Sequence, residues 1–194
     1  MLAHVLCTFA LATGVGGCAA GAAAPTATTG LDAYVNVAKR IYASERDGPP
    51  VRASLRRIER DPAAVRGNRA ELLKQLFKPG YHVVRLQARR GGRVVNDVGG
   101  RFVVAGPTRR GMTISIQDVI GYVKLVHRLT GLEVVVRGDP GHVAGTSSVL
   151  EDAALPASGT VTLGGTAYAV DSFSEPGFGG ERLTVWLLDG GATG

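Results

Sequence analysis

The spacing of apolar residues changes period near residue 80, and this change limits the possible folds more than any other feature. Leu31, Tyr34, Val35, Ala38, Ile41 and Tyr42 recur at helical spacing. From Tyr81 to Ala88 the period is two, with Val84, Leu86 and Ala88 on one face and Val83, Arg85 and Gln87 on the other. Helices first and strands after them predict an α+β fold with an antiparallel sheet.

Punctuation divides the helical part into three. Asp32 suits a helix N-terminus, and Gly48-Pro49-Pro50 ends the first helix. Val51, Leu55 and Ile58 form the apolar face of a second helix over 51–60. Pro62 suits the first turn of a third helix. Leu72, Leu73, Leu76 and Phe77 close it before Pro79-Gly80.

Two Gly-Gly pairs punctuate the strands. Gly91-Gly92 links Tyr81–Ala88 to Arg93–Asp97, and Gly164-Gly165 links Thr160–Leu163 to Thr166–Phe173. Both read as tight hairpins, because two adjacent glycines take positive φ freely. Arg101–Ala105, Met112–Ile116, Leu132–Arg137, His142–Ala144 and Leu183–Leu188 are further predicted strands. Gln117–Thr130 is a helix with Val119, Ile120, Val123, Val126 and Leu129 as its apolar stripe, and Gly131 stops it. The helix dipole favours Asp118 in the first turn and Lys124, His127 and Arg128 further along.

The N-terminus speaks for export. Met1–Ala24 has no Lys, Arg, Asp or Glu, and Val5–Leu11 is a short apolar run followed by small residues. Val15-Gly16-Gly17-Cys18 resembles a bacterial lipoprotein signal, with the Cys18 thiol as lipid acceptor, although no basic residue precedes the apolar run. A cleaved secretory signal, an uncleaved anchor and a plain cytosolic N-terminus are the other readings. The expected division is an export segment over 1–18, a flexible tether over 19–30, one domain over 31–189 and a tail over 190–194.

The net charge is +6. Scattered arginines and the lack of an RNA-binding aromatic motif read as ordinary solvated surface, so nucleic acid is not an expected partner. Near a membrane, anionic head groups would attract this charge. Cys7 and Cys18 both lie in the first 20 residues, so the body has no disulfide and no cysteine-based metal site. His82, His127 and His142 have no paired spacing, so no metal centre is expected. No P-loop and no G-x-S-x-G elbow occurs. Neither an enzyme nor a cofactor is expected.

The strings LFKPGYHVVRL, GGRVVNDVGG, ISIQDVIGYVKLVHRLTG and LPASGTVTLGGTAYAVDSFS resemble the Cache group of PAS-like extracytoplasmic sensor domains, in the form found in actinobacterial sensors and lipoproteins. The most specific part is Gln117-Asp118 with Gly121-Tyr122 and Lys124-Leu125. The resemblance covers roughly 31–188. It implies a PAS-like antiparallel sheet of five or six strands, a long N-terminal helix along it, and a small-ligand pocket on one sheet face closed by loops and short helices. The tyrosine, arginine and tryptophan cluster of amino-acid-binding relatives is absent, so no ligand class carries over. Gly106–Gly111 is short for the family, which implies an abbreviated sheet edge. Only a few residues follow Leu188, so signalling would pass through a partner membrane protein.

The candidate ligand-binding residues are Arg85, Gln117, Asp118, Tyr122 and Tyr168, with Cys18 as the lipidation site. Arg85 either holds a carboxylate in a pocket or lies on a solvated sheet face. Gln117 and Asp118 stand where helix N–H groups converge, although Asp118 also suits a simple cap. Tyr122 and Tyr168 read equally as pocket lining or core. Asp97 reads as a turn residue. A structural or interaction protein that kept the fold without its pocket is the alternative function, and a hydrolase is a more remote one.

Overall fold

The computed structural model describes residues 30–62, 64 and 68–191. Cys18, the export segment and most of the tether lie outside the described residues.

Two helices in tandem open the fold, α1 (Leu31–Asp47) and α2 (Pro49–Glu59). The break falls at Gly48, whose extended backbone (φ −72°, ψ 173°) ends the helical run. A Cβ there would lie 2.3 Å from the Ser44 carbonyl oxygen, so only glycine permits this approach. Pro62 and Ala64 are helical, as expected of a helix opening at Pro62, and α3 is described over Arg69–Leu76. Asn68 is extended and its side chain accepts from Glu71 N–H at 3.0 Å, an N-cap that fixes the start of α3 there.

Among the described residues nine strands follow, all paired antiparallel. They are β1 (Arg85–Arg90), β2 (Arg93–Gly99), β3 (Thr108–Arg109), β4 (Met112–Ser115), β5 (Glu133–Arg137), β6 (Val143–Gly145), β7 (Ser158–Leu163), β8 (Thr166–Pro176) and β9 (Arg182–Asp189). Helix α4 (Val119–Thr130) separates β4 from β5, and the short α5 (Ser148–Asp152) separates β6 from β7. Both Gly-Gly hairpins form, with positive φ at all four glycines.

The strands divide between two sheets, ordered β2-β1-β4-β3 and β6-β5-β9-β8-β7. Numbered from its own first strand, the second sheet runs 2-1-5-4-3. The α+β class and the antiparallel pairing are therefore present, but in two sheets rather than one of five or six strands. The segment Arg101–Ala105 joins no ladder. It contributes only the bridges Val103↔Asp118 and Val104↔Gly177, which tie the two halves together. The stretch Gly106–Gly111 holds the two-residue β3.

Each tandem helix serves one sheet. Helix α1 packs on β8 and β9 together with α4, burying Val35, Ala38, Tyr42, Tyr122, Val134, Val185 and Leu187 in one core. Helices α2 and α3 cover the first sheet, burying Val51, Leu55, Ile58, Leu72, Leu86 and Ile114 in another. Each such large apolar side chain contributes roughly 1.5–3 kcal/mol. The first sheet is thereby apolar on its helix side and polar on the other, where Arg85, Gln87 and Arg89 stand out from β1.

The expected strand over Tyr81–Ala88 begins only at Arg85. His82 takes φ +50°, which breaks the extended run. Leu86 and Ala88 face the core as the alternation predicts, but Val83 is buried in the same cluster because it precedes the strand.

Candidate functional site

A polar trough runs between the helix-free face of the first sheet and the loops at the near end of the second. Its central cleft encloses about 450 Å³ between Arg85, Gln87, Arg101, His142, Phe178 and Glu181. It continues one way past Arg69, Asp97, Gly99 and Gly100. The other way it passes Thr108, Thr113 and the glycines 177, 179 and 180.

One wall is a chain of hydrogen bonds on β1 and β2. Arg85 grips Asp97 through Nε at 2.9 Å and through a terminal nitrogen at 2.8 Å, and its other terminal nitrogen donates to Arg101 O at 2.9 Å. Gln87 donates to the same carboxylate at 2.9 Å and accepts from Arg89 Nε at 2.9 Å. The hairpin register sets Gln87 opposite Asp97, which is why these groups meet. The Arg85 hydrogen bond, seconded by that from Gln87 and by the charges of Arg85 and Arg69, holds the Asp97 carboxyl below the ordinary aspartate range. The Arg85 guanidinium also lies over the Phe178 ring, 4.5 Å from its centroid.

The opposite wall is built on Glu181, whose side chain is only 5% exposed. One carboxylate oxygen accepts from Asp139 N–H and faces His142 Nδ1, both at 2.7 Å. The His142 ring stacks on Phe102, with centroids 5.1 Å apart. Asp139 and Arg101 also line the trough, and neither side chain has a partner among the described residues.

Tyr42 joins the two walls from behind. Its hydroxyl donates to Pro176 O at 2.6 Å and accepts from Ala105 N–H at 3.4 Å. Burial pushes this phenol up to about 12.

Chemically the trough can bind, orient and neutralise polar groups. Among the described residues neither cysteine, serine nor lysine lines it, and its threonines Thr108 and Thr113 hydrogen-bond to each other at 2.7 Å. Among the described residues no group of three or more His, Cys, Asp or Glu is arranged for a metal ion, and no helix is long and apolar enough to cross a membrane.

Of the residues singled out in the sequence, Arg85 lines the trough. The carboxylate it holds is Asp97 of this chain, which takes part in the wall rather than in a turn. Asp118 caps α4, accepting from Gly121 N–H at 2.6 Å, and Gln117 folds back to donate to Asp118 O at 3.2 Å. Tyr122 is fully buried, donates to Ala38 O at 3.0 Å and packs edge-on against Tyr42. Burial raises its phenol strongly. Tyr168 packs on the far face of the second sheet with Val161 and Trp186. These four do not line the trough, so Arg85 stands apart from them.

Arg101, His142, Phe178 and Glu181 carry the site without a sequence signal. Glu181 stands 39 residues from His142, and only the return of β9 beside β5 brings them together.

A further cavity of about 200 Å³ opens on the helix side of the first sheet beside Glu59, Ala88 and Met112. It is smaller than the trough's central cleft.

The architecture and site define an α+β protein of two antiparallel sheets with a polar trough at their junction. Compared with known proteins, the chain matches no family model, no curated protein and no solved structure.

Proposed function

We propose that the chain is an extracytoplasmic sensor-type binding module, tethered to the membrane through Cys18, that takes a small polar ligand in the trough and passes its state to a partner membrane protein. The observation that carries the reading is the trough wall itself. A bidentate Arg85–Asp97 pair and a His142–Glu181 pair face one cleft with their geometry already fixed. Preorganised polar groups in a cleft of several hundred cubic ångströms suit a small molecule. The Cache reading has support from the five-stranded antiparallel sheet with α1 along one face, the arrangement the resemblance implies.

The test is a thermal-shift screen of the full chain against small polar metabolites. A ligand at 100 times its Kd stabilises by roughly 2.7 kcal/mol, and the shift is expected to shrink in His142→Ala. A screen without any stabilising compound would count against the reading.

A second reading, an interaction protein without a ligand pocket, draws on the opposite face of the second sheet. Arg137 donates to the carbonyls of Leu150, Glu151 and Ala153, and Trp186 donates to Pro156 O, so the segment from α5 to Pro156 is clamped over that face. Under this reading a partner is captured from membranes with no ligand added.

A further inference from the structure

One end of the trough is a cup of about 300 Å³ lined by Arg69, Arg85, Asp97, Gly99, Gly100 and Arg101. Three arginines and one aspartate are among the residues that line it. Asp97 is already matched by Arg85, which spends Nε and one terminal nitrogen on it. Arg69 gives one hydrogen bond, to the Asp97 carbonyl oxygen at 3.1 Å, and no acidic side chain pairs with it among the described residues. Arg101 contributes only its carbonyl oxygen, to Arg85, and its guanidinium has no partner among the described residues. The cup therefore holds two cations in excess of its own anions.

The two cations come from different elements. Arg69 opens α3, and Arg101 lies in the loop after β2. A planar carboxylate is satisfied by one guanidinium fork, as Asp97 is by Arg85. Two forks on separate elements call for an anion with more than two acceptor oxygens and up to two charges. That is the chemistry of a phosphoryl or sulfo group. The Asp97 carboxylate would repel such a group if it were free, but Arg85 and Gln87 occupy both of its oxygens.

Given the trough as the binding site, on which the assignment rests, we propose that the Arg69–Arg101 cup receives a tetrahedral oxyanion, a phosphate or sulfate ester, with the rest of the ligand extending toward His142 and Glu181. The same chemistry is offered by a soluble phosphate ester and by the head group of an anionic lipid.

The experiment is titration calorimetry of the full chain with inorganic phosphate, sulfate and glycerol phosphate, at ionic strength matched with chloride. Arg69→Gln and Arg101→Gln are the variants, and their fold is checked by circular dichroism. Both side chains are exposed, so both variants are expected to fold. Saturable binding of phosphate by the parent chain, weakened at least about tenfold in each variant, is the expected result. Flotation with phosphatidic acid vesicles and with neutral phosphatidylcholine vesicles separates the sources. Arg101-dependent capture by the former assigns the lipid head group, and its absence beside phosphate binding assigns a soluble ester. No binding of any of the three anions, or binding unchanged in both variants, would overturn the proposal. The trough reading fails by a different result. Phosphate binding that needs Arg101, beside screening hits indifferent to His142→Ala, keeps the cup and removes the wider trough.

Discussion

Arg85 and Asp97 stand 12 residues apart on neighbouring strands and share two hydrogen bonds of 2.9 and 2.8 Å. The pair belongs to one wall of the trough, and it makes the stability of that wall depend on pH. The Asp97 carboxyl is held below its ordinary range in the folded chain, so its contribution is complete above the unfolded value of about 4 and fades as pH falls through the depressed folded value. Asp97→Asn is expected to lower Tm at pH 7 and to narrow the gap from the parent chain as pH drops below about 4. Melting curves between pH 2 and pH 7 measure it, and a Tm gap that stays constant across that range would remove Asp97 from the account.

Tyr42 titrates at the other end of the scale. Its phenol is pushed up to about 12 by burial, so the neutral form is the one that the fold holds. Its contribution is complete below the unfolded value of about 10 and is lost as pH rises through 12. Tyr42→Phe leaves Pro176 O and Ala105 N–H without this partner, at an expected cost of about 1–3 kcal/mol at neutral pH. Urea unfolding monitors this directly.

Glycine is required in some turns and replaceable in others. A Cβ on Gly106 would lie 1.6 Å from the Ile114 carbonyl oxygen, whereas Gly91 has open space around it with φ +56°. Gly106→Ala is expected to cost about 1–3 kcal/mol. Gly91→Asn, a residue that suits this turn conformation, is expected to be nearly neutral. Comparative denaturation of the two variants tests the tight approach of the 106 loop to β4.

Membrane tethering has its own test. Cells expressing the full chain with a labelled fatty acid are expected to incorporate label, and Cys18→Ala is expected to abolish it. Label that survives in the variant would place the lipid elsewhere.

Local features were legible in the sequence where neighbours in the chain decide the outcome. Gly48-Pro49-Pro50 marks the α1–α2 break, Gly91-Gly92 and Gly164-Gly165 mark the hairpins, and Asp118 and Gly131 bracket α4. The period-two run gave the core face of β1 correctly from Leu86 onward but not its start, because the positive φ of His82 leaves no trace in an alternating pattern. The five-residue α5 and two-residue β3 are too short to show a period. The split into two sheets is a matter of distant pairing, since β5 joins β9 with Glu133 opposite Leu188. The trough suffers most from this. Arg85 was visible as a polar residue in an apolar alternation, but Phe178 beneath it and the Glu181–His142 pair depend on where the β8–β9 connection lands.

The most direct test of the trough as the binding site is an amide NMR titration of the full chain with the strongest stabilising compound from the metabolite screen. Shifts concentrated at Gly99, Gly100, Arg101, Gly179 and Gly180 are the predicted result. Shifts confined to the opposite face of the second sheet, at Tyr168, Trp186 and the segment around Leu155, would contradict it.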